Sequence, residues 1–242
     1  MDIHVLFPAA ILLIAFLYSS VGHGGASGYL ALMALFSYPV STMKVSGLIL
    51  NVFVASIAFV QYYRSGYFKW KLFLPFALAS IPFAFLGSGV LLEAGIYKKI
   101  LAVLILFPVL RLFGFFGSDS EKTSPVNFKL ALIIGATIGL ISGMIGIGGG
   151  IILSPVIILL NWGNMKETAA VSALFIVVNS ISGIAGAVNA PGVYNMDLVY
   201  LLIPAIVGGL LGSYFGSKKF RPEILRPILA TVLLIASIKL FW

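Results

Sequence analysis

The chain has 242 residues, 61% of them hydrophobic and only 9% charged, with a mean hydropathy of +1.13. A soluble domain carries roughly a quarter charged residues, so this composition excludes a water-covered globule and points to an all-α integral membrane protein. The net charge of +8 sits in short loops between apolar runs, which orients a polytopic chain in a bilayer and does not describe a nucleic-acid face. Cysteine is absent, which excludes disulfides and thiolate metal sites.

Ten apolar segments are predicted, at 5–21, 27–36, 44–63, 71–92, 97–117, 128–145, 151–160, 167–188, 196–216 and 224–242. The first has neither a basic leader nor a small-residue cleavage site and is expected to be a retained helix. It breaks at Gly22-His23-Gly24-Gly25. The second segment then offers about ten residues, ~15 Å of helix, against a hydrocarbon core of ~30 Å. The third carries Ser46 and Asn51 and runs into a loop with Arg64, Lys69 and Lys71. The sixth carries Gly135, Gly139 and Gly143, a small-residue stripe suited to close helix packing. It breaks at Gly146-Ile147-Gly148-Gly149-Gly150, and the seventh segment is again about half a span long. The eighth opens on Glu167, suited to a helix N-terminus, and carries Ser172, Asn179 and Ser180. The ninth repeats a glycine stripe at Gly208, Gly212 and Gly216. Arg111 and Lys239, near the ends of the fifth and tenth segments, are expected to snorkel to the interface.

These features recur in order. Gly22, Gly24 and Gly25 match Gly146, Gly148 and Gly149 at an offset of 124; Ser46 matches Ser172 and Gly66 matches Gly192 at 126; Gly87 matches Gly212 at 125. The expected organisation is a first transmembrane repeat at 1–117, a cytoplasmic linker at 118–127 and a second transmembrane repeat at 128–242, five helical segments in each. Loop charge supplies the relative orientation. The loop after the third segment is basic, whereas its counterpart at 189–197 has no Lys or Arg and one Asp; one loop later the bias reverses, with Glu93, Lys98 and Lys99 in the first half against Lys218, Lys219, Arg221, Glu223 and Arg226 in the second. Equivalent loops on opposite sides require inverted repeats.

The breaks are the candidate site. Unpaired backbone groups at membrane depth must be buried in protein or line a cavity, and the N-terminal ends of the short helices carry the positive end of the helix dipole. Two such ends meeting near the midplane would bind an anion through backbone N–H groups without a buried cation. The rival reading is that the glycines only permit close packing; duplication, with a half-length helix behind each copy, favours a site. The candidate substrate-binding residues are Gly22, His23, Gly24, Gly25, Ser27, Gly146, Gly148, Gly149, Gly150, Asn51 and Asn179. His23 is the titratable side chain in the breaks, with Ile147 in the equivalent position. It can donate to an anion or carry a coupling proton, or simply be satisfied by a carbonyl. Asn51 and Asn179 can line the path or bond between helices, and the nearby serines are read as packing residues. No G-x-x-x-x-G-K-[ST] phosphate loop, local metal motif or Ser/His/acid set is present. No enzyme activity, catalytic residue, metal or cofactor is expected.

Gly22-His-Gly-Gly-Ala-Ser-Gly28 in the first half, Gly143-Met-Ile-Gly-Ile-Gly-Gly-Gly-Ile-Ile-Leu-Ser-Pro155 in the second and Tyr62-Tyr63-Arg64-Ser-Gly66 between them resemble the TauE/SafE family of sulfite and organosulfonate exporters. The resemblance covers essentially the whole chain. The first motif departs from the second, with Tyr29-Leu30-Ala31 where the second has Leu153-Ser154-Pro155. The resemblance implies a multi-pass cell-membrane transporter exporting small sulfur-containing anions such as sulfite, sulfoacetate or related organosulfonates. Alternating access by rocking of one repeat against the other is the expected mechanism, and an anion channel with a dipole-lined constriction is the alternative. The expected partners are the anionic substrate and the lipid bilayer, without nucleic acid; a homodimer is compatible with the sequence.

Overall fold

The computed structural model describes residues 3–20, 24–112, 123–187 and 197–218, together with 230, 231, 233, 234, 237 and 238. Gly22, His23, Lys239, the side chain of Arg111, residues 118–122 of the linker and nearly all of the 189–197 loop lie outside the described residues. Within them the regular structure is α-helical: α1 (Ile3–Ser20), α2 (Ala26–Leu35), α3 (Val40–Arg64), α4 (Trp70–Ser88), α5 (Ala94–Leu112), α6 (Phe128–Ile145), α7 (Gly150–Leu159), α8 (Met165–Gly186) and α9 (Asp197–Lys218). Four of them, α3, α4, α6 and α8, are long and apolar enough to cross a membrane.

Helix ends follow local chemistry. Asn164 and Glu167 form a reciprocal capping box at the start of α8, and Asn127 caps α6, each satisfying donors that a helix leaves open. The apolar run 71–92 predicts a helix longer than α4 by four residues at its C-terminal end. Gly87 and Gly89 weaken the helix there, and the Lys44 ammonium draws off the carbonyls of Ser88 and Val90.

The two short helices are near-copies. Each starts on a glycine in the left-handed region, Gly25 at φ 93° and Gly149 at φ 77°, a conformation that costs a residue with a Cβ about 1–2 kcal/mol. Each ends on a left-handed non-glycine residue, Ser37 at φ 58° and Asn161 at φ 52°. The closing bonds match too: Tyr38 N–H to Met33 O (3.0 Å) and Trp162 N–H to Ile157 O (3.0 Å).

Packing directions come from the glycine stripes. Gly135, Gly139 and Gly143 of α6 lie against the backbone of Phe76, Ser80 and Ala84 of α4, in the same order, so these helices run parallel. Gly208 and Gly212 of α9 lie likewise against Leu12 and Phe16 of α1. The pairing is symmetric under exchange of the halves: Gly87 of α4 meets Leu140 of α6 as Gly212 of α9 meets Phe16 of α1. Both interlocks join a helix of one half to a helix of the other. Between them lie α3 and α8, which run antiparallel, since Lys69 beyond the end of α3 pairs with Glu167 at the start of α8 (2.5 Å).

The short helices turn back rather than continue across. Asn161, after α7, accepts from the Ser124 N–H just before α6 (2.6 Å), so α6 and α7 form a hairpin with both ends at the Lys69–Glu167 end of the bundle. Phe36 and Tyr38, after α2, pack on Phe7 of α1. That hairpin opens at the other end, where α3 begins.

Candidate functional site

α7 runs antiparallel to α8, with Gly150 beside Ile176 and the Ser172 carbonyl, and with the Ser154 and Ser172 hydroxyls bonded at 2.7 Å. Ile176 lies near the middle of the 22-residue α8, and Asn51 near the middle of the 25-residue α3. The second break therefore lies halfway along the two central helices. Its entry is held by Tyr97 of α5, whose hydroxyl donates to the Ile145 carbonyl (2.7 Å), a group the end of α6 leaves open.

Asn51 brings the breaks together. Its Nδ2 donates to the Ile147 carbonyl (3.1 Å) inside the second break. A Cβ on Gly148 would stand 2.8 Å from that same Nδ2, and a Cβ on Gly24 would stand 2.7 Å from Asn51 Oδ1. One fully buried carboxamide thus lies against both copies. Neither short helix has a side-chain cap, so helix geometry leaves the N–H groups of Ala26, Ser27, Gly150 and Ile151 without helical acceptors. All four residues are buried. Each helix start contributes about half a positive charge.

Several buried polar atoms around the breaks have no hydrogen-bond partner among the described residues. They include Asn51 Oδ1, Ser180 Oγ, Tyr29 OH and Asn179 Oδ1. Ser180 Oγ is 2.9 Å from where a Gly148 Cβ would stand, and Tyr29 OH is 2.7 Å from the equivalent point on Gly25. A buried polar group without a partner costs about 1–3 kcal/mol, so these atoms are candidates to meet a ligand's polar atoms.

The other expected site residues take different places. The Ser27 hydroxyl is bonded to the Tyr18 hydroxyl, so it braces α2 on α1. Gly149 faces Ile138, Ser142 and Phe175, and Gly146 sits on the backbone of Lys44; both shape the turn. Asn179 Nδ2 donates to Phe175 O of its own helix (3.0 Å). Ser180 and Tyr29 are the residues that sequence reasoning passed over. Ser180 adjoins Asn179 and resembles any helix-packing serine, while Tyr29 aligns with the apolar Leu153.

Residues 7–240 match the family described as "Sulfite exporter TauE/SafE". A probable membrane transporter protein of Sinorhizobium fredii is 34% identical over 239 residues, covering 96% of each chain. A probable membrane transporter protein of Methanocaldococcus jannaschii is 26% identical, over 75% of this chain and 72% of its own. One from Bacillus subtilis is 28% identical, over 90% of this chain and 92% of its own. No solved structure matches.

Proposed function

The chain belongs to the sulfite exporter TauE/SafE family of membrane proteins, and from that premise we propose that it is a secondary transporter exporting small sulfur-containing anions by alternating access. Sulfite, sulfoacetate and related organosulfonates are the substrate class. The observation that carries this reading is the pair of uncapped, buried helix starts on Gly25 and Gly149, whose breaks share the Asn51 carboxamide. Backbone N–H groups and two dipole ends favour an anion. Backbone N–H groups can hold an anion without a cationic side chain paired to it, which suits a carrier that must also release it. Substrate contacts are assigned to Gly24, Gly25, Gly148, Gly150 and Asn51, with Gly22 and His23 in the same break by sequence; His23 is the residue for a coupling proton.

In the cell membrane the halves at 1–117 and 128–242 act as inverted repeats joined by a cytoplasmic linker. Support comes from the loop charges and from the two hairpins opening at opposite ends of the bundle. The close α4–α6 and α9–α1 interfaces favour moving bodies other than the sequence halves. Motion of the α1–α9 pair relative to the α4–α6 pair, across α3 and α8, keeps both close interfaces intact. A negative interior drives an anion outward, with about 2.3 kcal/mol per charge per 100 mV.

The test is binding and flux. Purified protein titrated with sulfite, thiosulfate, sulfoacetate and sulfate should select among them, and liposomes loaded with the preferred anion should show saturable uptake with counterflow. Ohmic, non-saturating current would replace the carrier with a channel. Absence of binding across the panel would overturn the anion site.

A further inference from the structure

We infer that the site takes an oxyanion that itself carries a hydrogen-bond donor, an O–H or N–H, in preference to one that only accepts. This rests on the anion site proposed above and narrows its substrate. Hydrogen bonding fixes the orientation of the Asn51 amide: Nδ2 faces the Ile147 carbonyl, where an oxygen would repel it, so Oδ1 is the atom turned to the first break. Oδ1 is fully buried, has no partner among the described residues, and lies where the two breaks meet. A carboxamide oxygen can only accept. The ammonium groups of Lys44 and Lys69 are engaged by the Ser88 carbonyl and by Glu167.

An anion with oxygens alone satisfies the helix-start N–H groups and the Ser180 and Tyr29 hydroxyls, but sets its lone pairs against Asn51 Oδ1. A singly protonated oxyanion, or a sulfonate bearing a hydroxyl, satisfies donors and acceptor together. A site that pairs its buried polar groups with a substrate O–H rejects the analogue lacking it far better than an apolar pocket can.

The experiment compares two ligands that differ by one group, 2-hydroxyethanesulfonate and propane-1-sulfonate, with sulfite as reference, by calorimetric titration of the intact purified protein. The hydroxyl ligand should bind roughly tenfold tighter or better, the effect of leaving one buried acceptor unpaired. Asn51→Leu should abolish that preference. Ser180→Ala, which removes a donor to the anion, should weaken both sulfonates alike. Equal or absent binding of the two sulfonates by wild-type protein that still binds sulfite overturns the donor requirement and leaves the anion site standing. Failure of sulfite as well overturns the site on which the inference rests. The wild-type pair decides even if Asn51→Leu does not fold.

Discussion

Gly24 and Gly148 lie so near the Asn51 amide that a Cβ on either would collide with it. That tightness separates backbone strain from loss of the site. Gly148 and Gly66 have similar left-handed backbones, φ 71° and 77°, but a Cβ on Gly66 meets nothing within 4 Å. Gly66→Ala should therefore cost about 1 kcal/mol of stability and leave anion affinity at the wild-type value. Gly148→Ala carries the same strain and in addition drives a methyl between the Asn51 amide and the Ser180 hydroxyl. Binding should fall at least tenfold, the order of one lost buried polar contact. Titration of both variants beside a melting curve checks this, and equal affinities would remove Gly148 from the site. At this scale the sequence was partly legible. A polar amide midway along an apolar helix drew notice to Asn51, whereas nothing in the pattern set Ser180 apart from Ser172, which is in fact bonded to Ser154. Tyr29 was illegible for another reason: its role depends on where its hydroxyl lies, over Gly25, and aromatic residues are common in apolar helices.

Among the elements, the glycine stripes fix how near helices may come. A Cβ on Gly139 would stand 2.3 Å from the Ser80 carbonyl oxygen, and one on Gly212 would stand 2.1 Å from that of Phe16. Neither contact can be relieved by rotating a side chain, so the helices must part. Gly139→Ala and Gly212→Ala should each lower stability by about 1–3 kcal/mol, the usual cost of overpacking. Gly95→Ala, facing open space, should cost nothing measurable, and thermal unfolding in detergent compares the three. These stripes were visible as four-residue periods, and so was the half-length of α2 and α7, since apolar length is written directly in composition. The partner of each stripe was not visible. Periodicity marks a face and says nothing of what covers it, so the crossing of α4 to α6 and α1 to α9 had to be seen.

For the whole molecule, the hairpin ends and the antiparallel α3–α8 pair give the bundle two distinct ends. Ser37 follows α2 at one end and Ser65 follows α3 at the other, and both are exposed. A cysteine-free chain makes the test direct. Single Ser37→Cys and Ser65→Cys variants in sealed vesicles should react with an impermeant maleimide from opposite sides, Ser65→Cys from the cytoplasmic face. Labelling from one side would refute α3 as a membrane crossing and, with it, the placing of the two hairpins at opposite faces. The Lys69–Glu167 ion pair belongs to the Ser65 end, and the position matching Glu167 in the first half is Ser41, so an equivalent pair cannot form there. The two ends share a backbone plan but not their charges.

The interlock of α1 with α9 also has a consequence for how the protein is made. Leu12 and Phe16 leave the ribosome long before Gly208 and Gly212, a gap of roughly 200 residues and so of roughly 10–40 s of synthesis. For that interval α1 sits in the bilayer without its partner, and lipid must cover a surface shaped to fit a glycine notch. Neither α1 nor α4 is fully seated when the first half is complete, so assembly cannot proceed half by half as a chain of independent domains would. Translation that stalls before the ninth helix leaves the first without its mate.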